Sequence, residues 1–187
     1  MICWNNTLEK LDLSCDIVFF GDSLTRGSSF HEYFPDKKIV NLGFSGDTIS
    51  GMINRVNMIK TVSPKTIFFM GGINSLSDYN SDRFFESYIA LIDLIIKEVP
   101  NSTLYIQSIL PISKKKEFSV CRNKTICKIN KRIKNLSDEK NIKFIDLHSK
   151  FILNGELNPA YTTDGLHLSQ EAYDLWAKTI TDFIALN

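Results

Sequence analysis

The stretch Asp16–Thr25, DIVFFGDSLT, sets the pattern that the rest of the chain repeats. Four successive apolar residues, Ile17 to Phe20, stop at Gly21 and give way to a polar segment carrying Ser23. An apolar run of this length, with β-branched and aromatic members, predicts a strand buried on both faces of a parallel sheet. Gly21 permits a sharp exit and leaves Ser23 at the strand's C-terminal end, where open α/β sheets collect their ligands. Similar runs follow at Lys38–Leu42, Thr66–Met70, Thr103–Gln107 and Lys143–Leu147. Between them the apolar positions take helical spacing. Thr48–Val62 carries Ile49, Met52, Ile53, Val56 and Ile59 and is closed by Pro64. A helix capped by Asn80, Ser81 or Asp82 runs to about Val99, where Pro100 stops it. Glu117–Lys140 turns Phe118, Ile126, Ile129, Ile133 and Leu136 towards the core, and Ser169 to about Ala185 is the last helix.

Strands alternating with helices indicate a parallel sheet with right-handed crossovers. The pattern predicts a single α/β domain over residues 1–187, and a flavodoxin-like three-layer α/β/α fold with five strands in the order 2-1-3-4-5 fits its length, although alternation alone does not fix the order. Hydrophobic residues at 43% and charged residues at 23% are ordinary globular values. A net charge of +1 gives no global field towards nucleic acid. The Met1–Asn6 start lacks a basic n-region, and the apolar helix Tyr88–Val99 is broken by Asp93, Lys97 and Glu98. No membrane span is expected, and a cytoplasmic location is the default. Cys3, Cys15, Cys121 and Cys127 have no metal-ligand spacing, so they read as reduced core or surface residues.

Polar residues cluster just past the predicted strand ends. Ser23 follows the first strand, Ser45, Gly46 and Asp47 the second, and Asn74 the third; Asp164 and His167 lie immediately before the last helix. Acyl transfer needs these parts: a hydroxyl nucleophile, a histidine base, a carboxylate that holds the imidazole tautomer, and donors for the oxyanion. Backbone N–H groups at Ser23 and Gly46, with the Asn74 amide, could be three such donors. Taken singly, each residue has a plainer reading. Ser23 could be a turn or N-cap residue, Gly46 a turn glycine, Asn74 a loop residue and His167 a surface histidine. Asp22 and Asp47 read as local hydrogen-bonding residues. His31 and His148 have no identifiable partner, and His148 reads as structural.

The four blocks GDSLT (Gly21–Thr25), NLGFSGDT (Asn41–Thr48), GIN (Gly72–Asn74) and DGLH (Asp164–His167) occur in order over most of the chain. In this the sequence resembles the GDSL or SGNH hydrolases, a family of esterases, lipases, thioesterases and carbohydrate acetylesterases on a flavodoxin-like fold. The resemblance implies Ser23 as nucleophile, His167 as base and Asp164 as its orienter. It also implies an oxyanion hole of Ser23, Gly46 and Asn74, with no metal or organic cofactor. Many members carry Asp after the block-three asparagine, where this chain has Ser75.

The expected function is hydrolysis of a short-chain ester, acetyl above all, on a carbohydrate or other small molecule through an acyl-enzyme. Two alternatives stand beside it. One is a thioesterase or lysophospholipase on the same site; the other is a non-catalytic module binding an anion or sugar, against which the Asp164–His167 pair argues. Connections at the catalytic edge are short and hold no apolar insert that could be a lid over a long acyl chain. Leu168 and Tyr173 are spaced as a hydrophobic staple around a Ser169 N-cap, which makes Trp176 a core residue. Half of the 22 basic residues fall between Ser113 and Lys143. They read as a solvated helix face, or, for Lys114, Lys115 and Lys116, as a patch reaching an anionic substrate.

Overall fold

The computed structural model describes residues 14–77, 80–117 and 121–185. The apolar runs form strands β1 (Ile17–Gly21), β2 (Ile39–Gly43), β3 (Thr66–Met70), β4 (Thr103–Gln107) and β5 (Lys143–Ile145). All pair in parallel, in the expected order β2-β1-β3-β4-β5. β1 and β3 are buried at every position, which is why they read as unbroken apolar runs rather than as alternating ones.

Alternate residues feed two cores. Val18, Phe20, Ile67, Phe69 and Ile106 join one cluster, which is completed by the helices α3 (Ile49–Asn54), α4 (Asn57–Val62), α5 (Ser81–Glu98) and α7 (Asn123–Glu139). Ile17, Phe19, Phe68, Met70 and Tyr105 join the other. This second face is covered by α1 (Ser23–Arg26), α2 (Phe30–Tyr33), α8 (His148–Phe151) and α9 (Gln170–Ala185). Here Phe30, Phe19, Phe68 and Tyr105 stack in a row, with successive ring centroids 4.0, 5.2 and 4.9 Å apart. Each such contact contributes about 0.5–1.5 kcal/mol beyond the area it buries. Trp176 is fully buried, as expected, and its indole N–H donates to Gln107 Oε1 at 2.7 Å.

The structure corrects the sequence reading in three places. The helix expected over Thr48–Val62 is two helices, α3 and α4, because Arg55 leaves helical geometry (φ −120°, ψ 14°). Its side chain is drawn to the sheet edge, as described below. The helix expected from Glu117 starts at Asn123, and a separate short helix α6 (Lys114–Glu117) precedes it. The cause is the Asn123 side chain, which accepts from Ile112 N–H at 2.9 Å and donates to Ile112 O at 2.7 Å, pinning the chain where the new helix begins. Phe118 lies outside the described residues, as does Cys3. The fifth strand stops at Ile145 instead of Leu147, because Asp146 accepts the Ser149 N–H at 3.1 Å and turns the chain into α8.

Beyond α8 the chain forms a small antiparallel hairpin, β6 (Ile152–Leu153) and β7 (Glu156–Leu157), and a 3₁₀ turn at Pro159–Tyr161. Leu168 and Tyr173 are both buried in the second core, as the staple predicts. Cys15, Cys121 and Cys127 are free thiols. No helix among the described residues is long and apolar enough to cross a membrane.

Candidate active site

Parallel pairing brings the C-terminal ends of β1, β2 and β3 to one edge, and the predicted polar residues gather there. At β1, Asp22 caps α1: its Oδ1 accepts the Leu24 N–H at 3.0 Å. Ser23 is therefore the first helical residue after a sharp exit from the strand. Asp22 is 1% exposed. Burial pushes its carboxyl up to about 6; the Leu24 N–H lowers it, the nearby Asp47 charge raises it, and the Gly72 N–H and His167 lower it. The hydrogen bond to Gly72 ties the serine-bearing turn to the loop after β3.

The loop after β2 holds Gly46 at φ +71°, a conformation that costs little only for glycine. A Cβ there would meet nothing within 4 Å, so the glycine is required by backbone conformation and not by crowding. Next to it, Asp47 is a hub. Its Oδ1 accepts the Thr48 N–H at 2.9 Å, its carbonyl accepts the Asn74 side-chain amide at 2.9 Å, and its Oδ2 meets Arg55 Nε at 2.6 Å. The loops carrying Gly46 and Asn74 are thus joined through one residue. Ser75 Oγ accepts the Ile49 N–H at 2.8 Å, tying the loop after β3 to the start of α3.

Sequence reasoning passed over Arg55. Its guanidinium donates to Gly21 O at 2.9 Å and Leu42 O at 3.0 Å, besides Asp47. It lies 4.3 Å from the centroids of both the Phe20 and Phe44 rings. Desolvation lowers its proton affinity, and the Asp47 carboxylate opposes that. A signal existed: Arg55 falls at helical spacing between Met52 and Ile59, a lone cation in an apolar stripe.

The last part of the site comes from the DGLH turn. Asp164 Oδ1 accepts the N–H groups of Leu166 and His167 at 2.9 and 2.8 Å, and Oδ2 lies 3.0 Å from His167 Nδ1. Burial alone would raise the Asp164 carboxyl, but these hydrogen bonds and the imidazole hold it well below the ordinary carboxylate range. The arrangement fixes the tautomer: Nδ1 carries the proton shared with the carboxylate, and Nε2 is left to accept another. Tyr173 on α9 donates to Leu24 O at 2.9 Å, which locks the helix following the DGLH turn onto α1. Asp22 and Asp47 make the local bonds the sequence suggests, to Leu24 and Thr48, and each also reaches further, to Gly72 and to Arg55. His148 is buried with Nε2 3.7 Å from Cys127 Sγ, apart from this cluster. Among the described residues no group of three or more His, Cys, Asp or Glu could hold a metal ion.

Residues 19–175 match the family described as GDSL-like lipase/acylhydrolase, a span that holds all four blocks. The chain belongs to that family. A GDSL-like lipase from Bacteroides thetaiotaomicron superposes on this chain with a TM-score of 0.78 at 24% identity, over 91% of this chain and 87% of the other. An acetyl xylan esterase superposes with a TM-score of 0.77 at 19% identity, over 90% and 98%. Among curated proteins, an N-acylneuraminate cytidylyltransferase from Streptococcus agalactiae is 26% identical over 159 residues, 84% of this chain and 36% of that one. The chain therefore spans only about a third of the length of the curated relatives it matches.

Proposed function

We propose that this acylhydrolase removes short acyl groups, acetyl foremost, from a carbohydrate or similar small alcohol, with Ser23 as nucleophile. The observation that carries the reading is the Asp164–His167 pair, whose carboxylate is fastened by two backbone N–H groups and whose Nε2 is left to act as a base. Ser23 Oγ attacks the ester carbonyl carbon while its proton passes to His167 Nε2. The new oxyanion is held by the backbone N–H groups of Ser23 and Gly46 and by the Asn74 amide. One Asn74 N–H is engaged by Asp47 O at 2.9 Å, which orients the second towards the oxyanion. Collapse expels the alcohol, which takes the proton from His167. Water then attacks the acyl-Ser23 ester with His167 again as base, and the acid leaves. Asp164 stays ionised throughout, in keeping with its lowered proton affinity.

Two neighbours support an acylated sugar as substrate. One solved structure with this fold is an acetyl xylan esterase, and the matched cytidylyltransferase is named for an N-acylated neuraminate, itself an acidic sugar. The test is a Ser23→Ala variant assayed on p-nitrophenyl acetate and on O-acetylated sugars. Hydrolysis should fall by several orders of magnitude with an unchanged circular dichroism spectrum. Near-normal turnover by the folded variant would overturn the assignment.

A further inference from the structure

The three lysines after β4 are placed differently. Lys114 is held by Glu156, whose Oε2 accepts its backbone N–H at 2.9 Å and whose Oε1 lies 3.8 Å from its ammonium. Lys115 is exposed. Lys116 turns to the DGLH loop, where its Nζ lies 3.7 Å from Asp164 Oδ2, the oxygen that also faces His167 Nδ1 at 3.0 Å. The approach is built into the backbone. Ser113 N–H donates to Gly165 O at 2.9 Å, which seats α6 on the DGLH turn. Gly165 has φ +89°, and a Cβ there would collide with Ser113 Oγ and stand 3.2 Å from Lys116 Cγ. The glycine therefore admits the lysine stem against the turn.

We propose that Lys116 is a positioning residue of the triad, sharing Asp164 Oδ2 with the His167 ring. The proposal rests on the roles assigned above to Asp164 and His167. Two backbone N–H groups fix Oδ1, and the ammonium acts on Oδ2 from the opposite element, so the carboxylate plane is held from both ends. The same cation offsets part of the negative charge that Asp164 presents to the ring. Among the described residues, the charged groups shown to act on this pair are Asp164 itself on the His167 loop, Lys116 across it on α6, and Asp22 at the start of α1, whose charge couples to that of His167. Removing the lysine leaves the two carboxylates. Because the Lys116 side chain is 33% exposed, its loss should not unfold the protein.

The experiment compares Lys116→Met and Lys116→Arg by NMR titration of the imidazole signals at low ionic strength, with pH profiles of kcat/KM on p-nitrophenyl acetate. The chain has three histidines, so His167→Gln identifies the signal. In Lys116→Met the His167 midpoint and the acid limb of the profile should both rise by about half a pH unit, the size expected for a partly exposed charge at this range. Lys116→Arg should restore the wild-type behaviour, and the difference should shrink in high salt. A midpoint unmoved or lowered in Lys116→Met overturns the proposal. So does an unmoved midpoint together with a KM increase confined to an anionic ester, which would make Lys116 a substrate contact. The titration reads the ring whether or not an ester is turned over, so its failure is distinct from failure of the hydrolase reading.

Discussion

Asp47 and Arg55 are joined by a 2.6 Å ion pair at the junction of the loops that carry Gly46 and Asn74. Their side chains are 11% and 13% exposed, so each charge is largely desolvated. Such a pair stabilises little relative to apolar residues, but breaking one side of it is costly. Arg55→Met would take the guanidinium away from the Asp47 carboxylate and from the carbonyls of Gly21 and Leu42. The expected loss is about 3–5 kcal/mol, read as a lower urea midpoint with an unchanged m-value. A change under 1 kcal/mol would mean that water replaces the guanidinium without penalty.

Asn74 should act on the transition state more than on the bound substrate. Asn74→Ala is expected to lower kcat about 10²–10³-fold with a much smaller change in KM. Steady-state kinetics on p-nitrophenyl acetate decide the matter. An effect confined to KM would place the amide in ground-state binding.

Asp22 gives a pH dependence with a definite sign. Its carboxyl stands at about 6 in the fold against an ordinary 3.8. Between those values the folded chain keeps the proton and the unfolded chain has lost it. The folded state binds more protons, so this contribution to stability is full below the unfolded value and lost as pH rises through about 6. Two units correspond to about 3 kcal/mol. Asp22→Asn keeps an acceptor for the Leu24 N–H but cannot ionise. Urea unfolding at a series of pH values should show the variant gaining on the wild type by about that amount between pH 4 and 6.5. A constant difference across the range would disprove it.

Acyl length separates an acetylesterase from a lipase. Among the described residues, the short helices that first follow β4 and β5 are α6, which is KKKE, and α8, whose His148 and Phe151 are buried. Neither can close over a long chain. Each buried methylene is worth about 0.8 kcal/mol, which a long-chain site must collect on apolar surface. The expected result is that kcat/KM falls from acetyl to octanoyl p-nitrophenyl esters. More efficient turnover of octanoyl esters would instead favour the lipase or thioesterase reading.

The strands were legible because burial on both faces needs no alternation, so Phe68 and Phe69 can stand side by side, one on each face. Helix boundaries were less so. Periodicity carries through Arg55 and through the segment before Asn123, but side-chain bonds to distant backbone, at Gly21 and Leu42 or at Ile112, interrupt the helices there. The candidate site was legible wherever a residue follows a strand end directly, as Ser23, Gly46 and Asn74 do. Asp164 and His167 were found as a spaced pair. Arg55 was not read as part of the site, and Lys116 was read only within a patch reaching an anionic substrate, because each meets its partners from another element, a relationship no local window contains.

The hairpin tip at Asn154–Gly155, with φ +52° and +82°, projects away from both cores, and a Cβ on Gly155 would meet nothing within 4 Å. Exposed tips of this kind tolerate a chain break. A cut there would divide the proposed triad, leaving Ser23 with the sheet on one fragment and the DGLH turn with α9 on the other. Neither piece could hydrolyse an ester alone. Trp176, Tyr173 and Ile180, buried in the second core, give the short fragment an apolar face with which to dock. Ester hydrolysis by the pair would then report reassembly, which would make this fold a two-part complementation reporter.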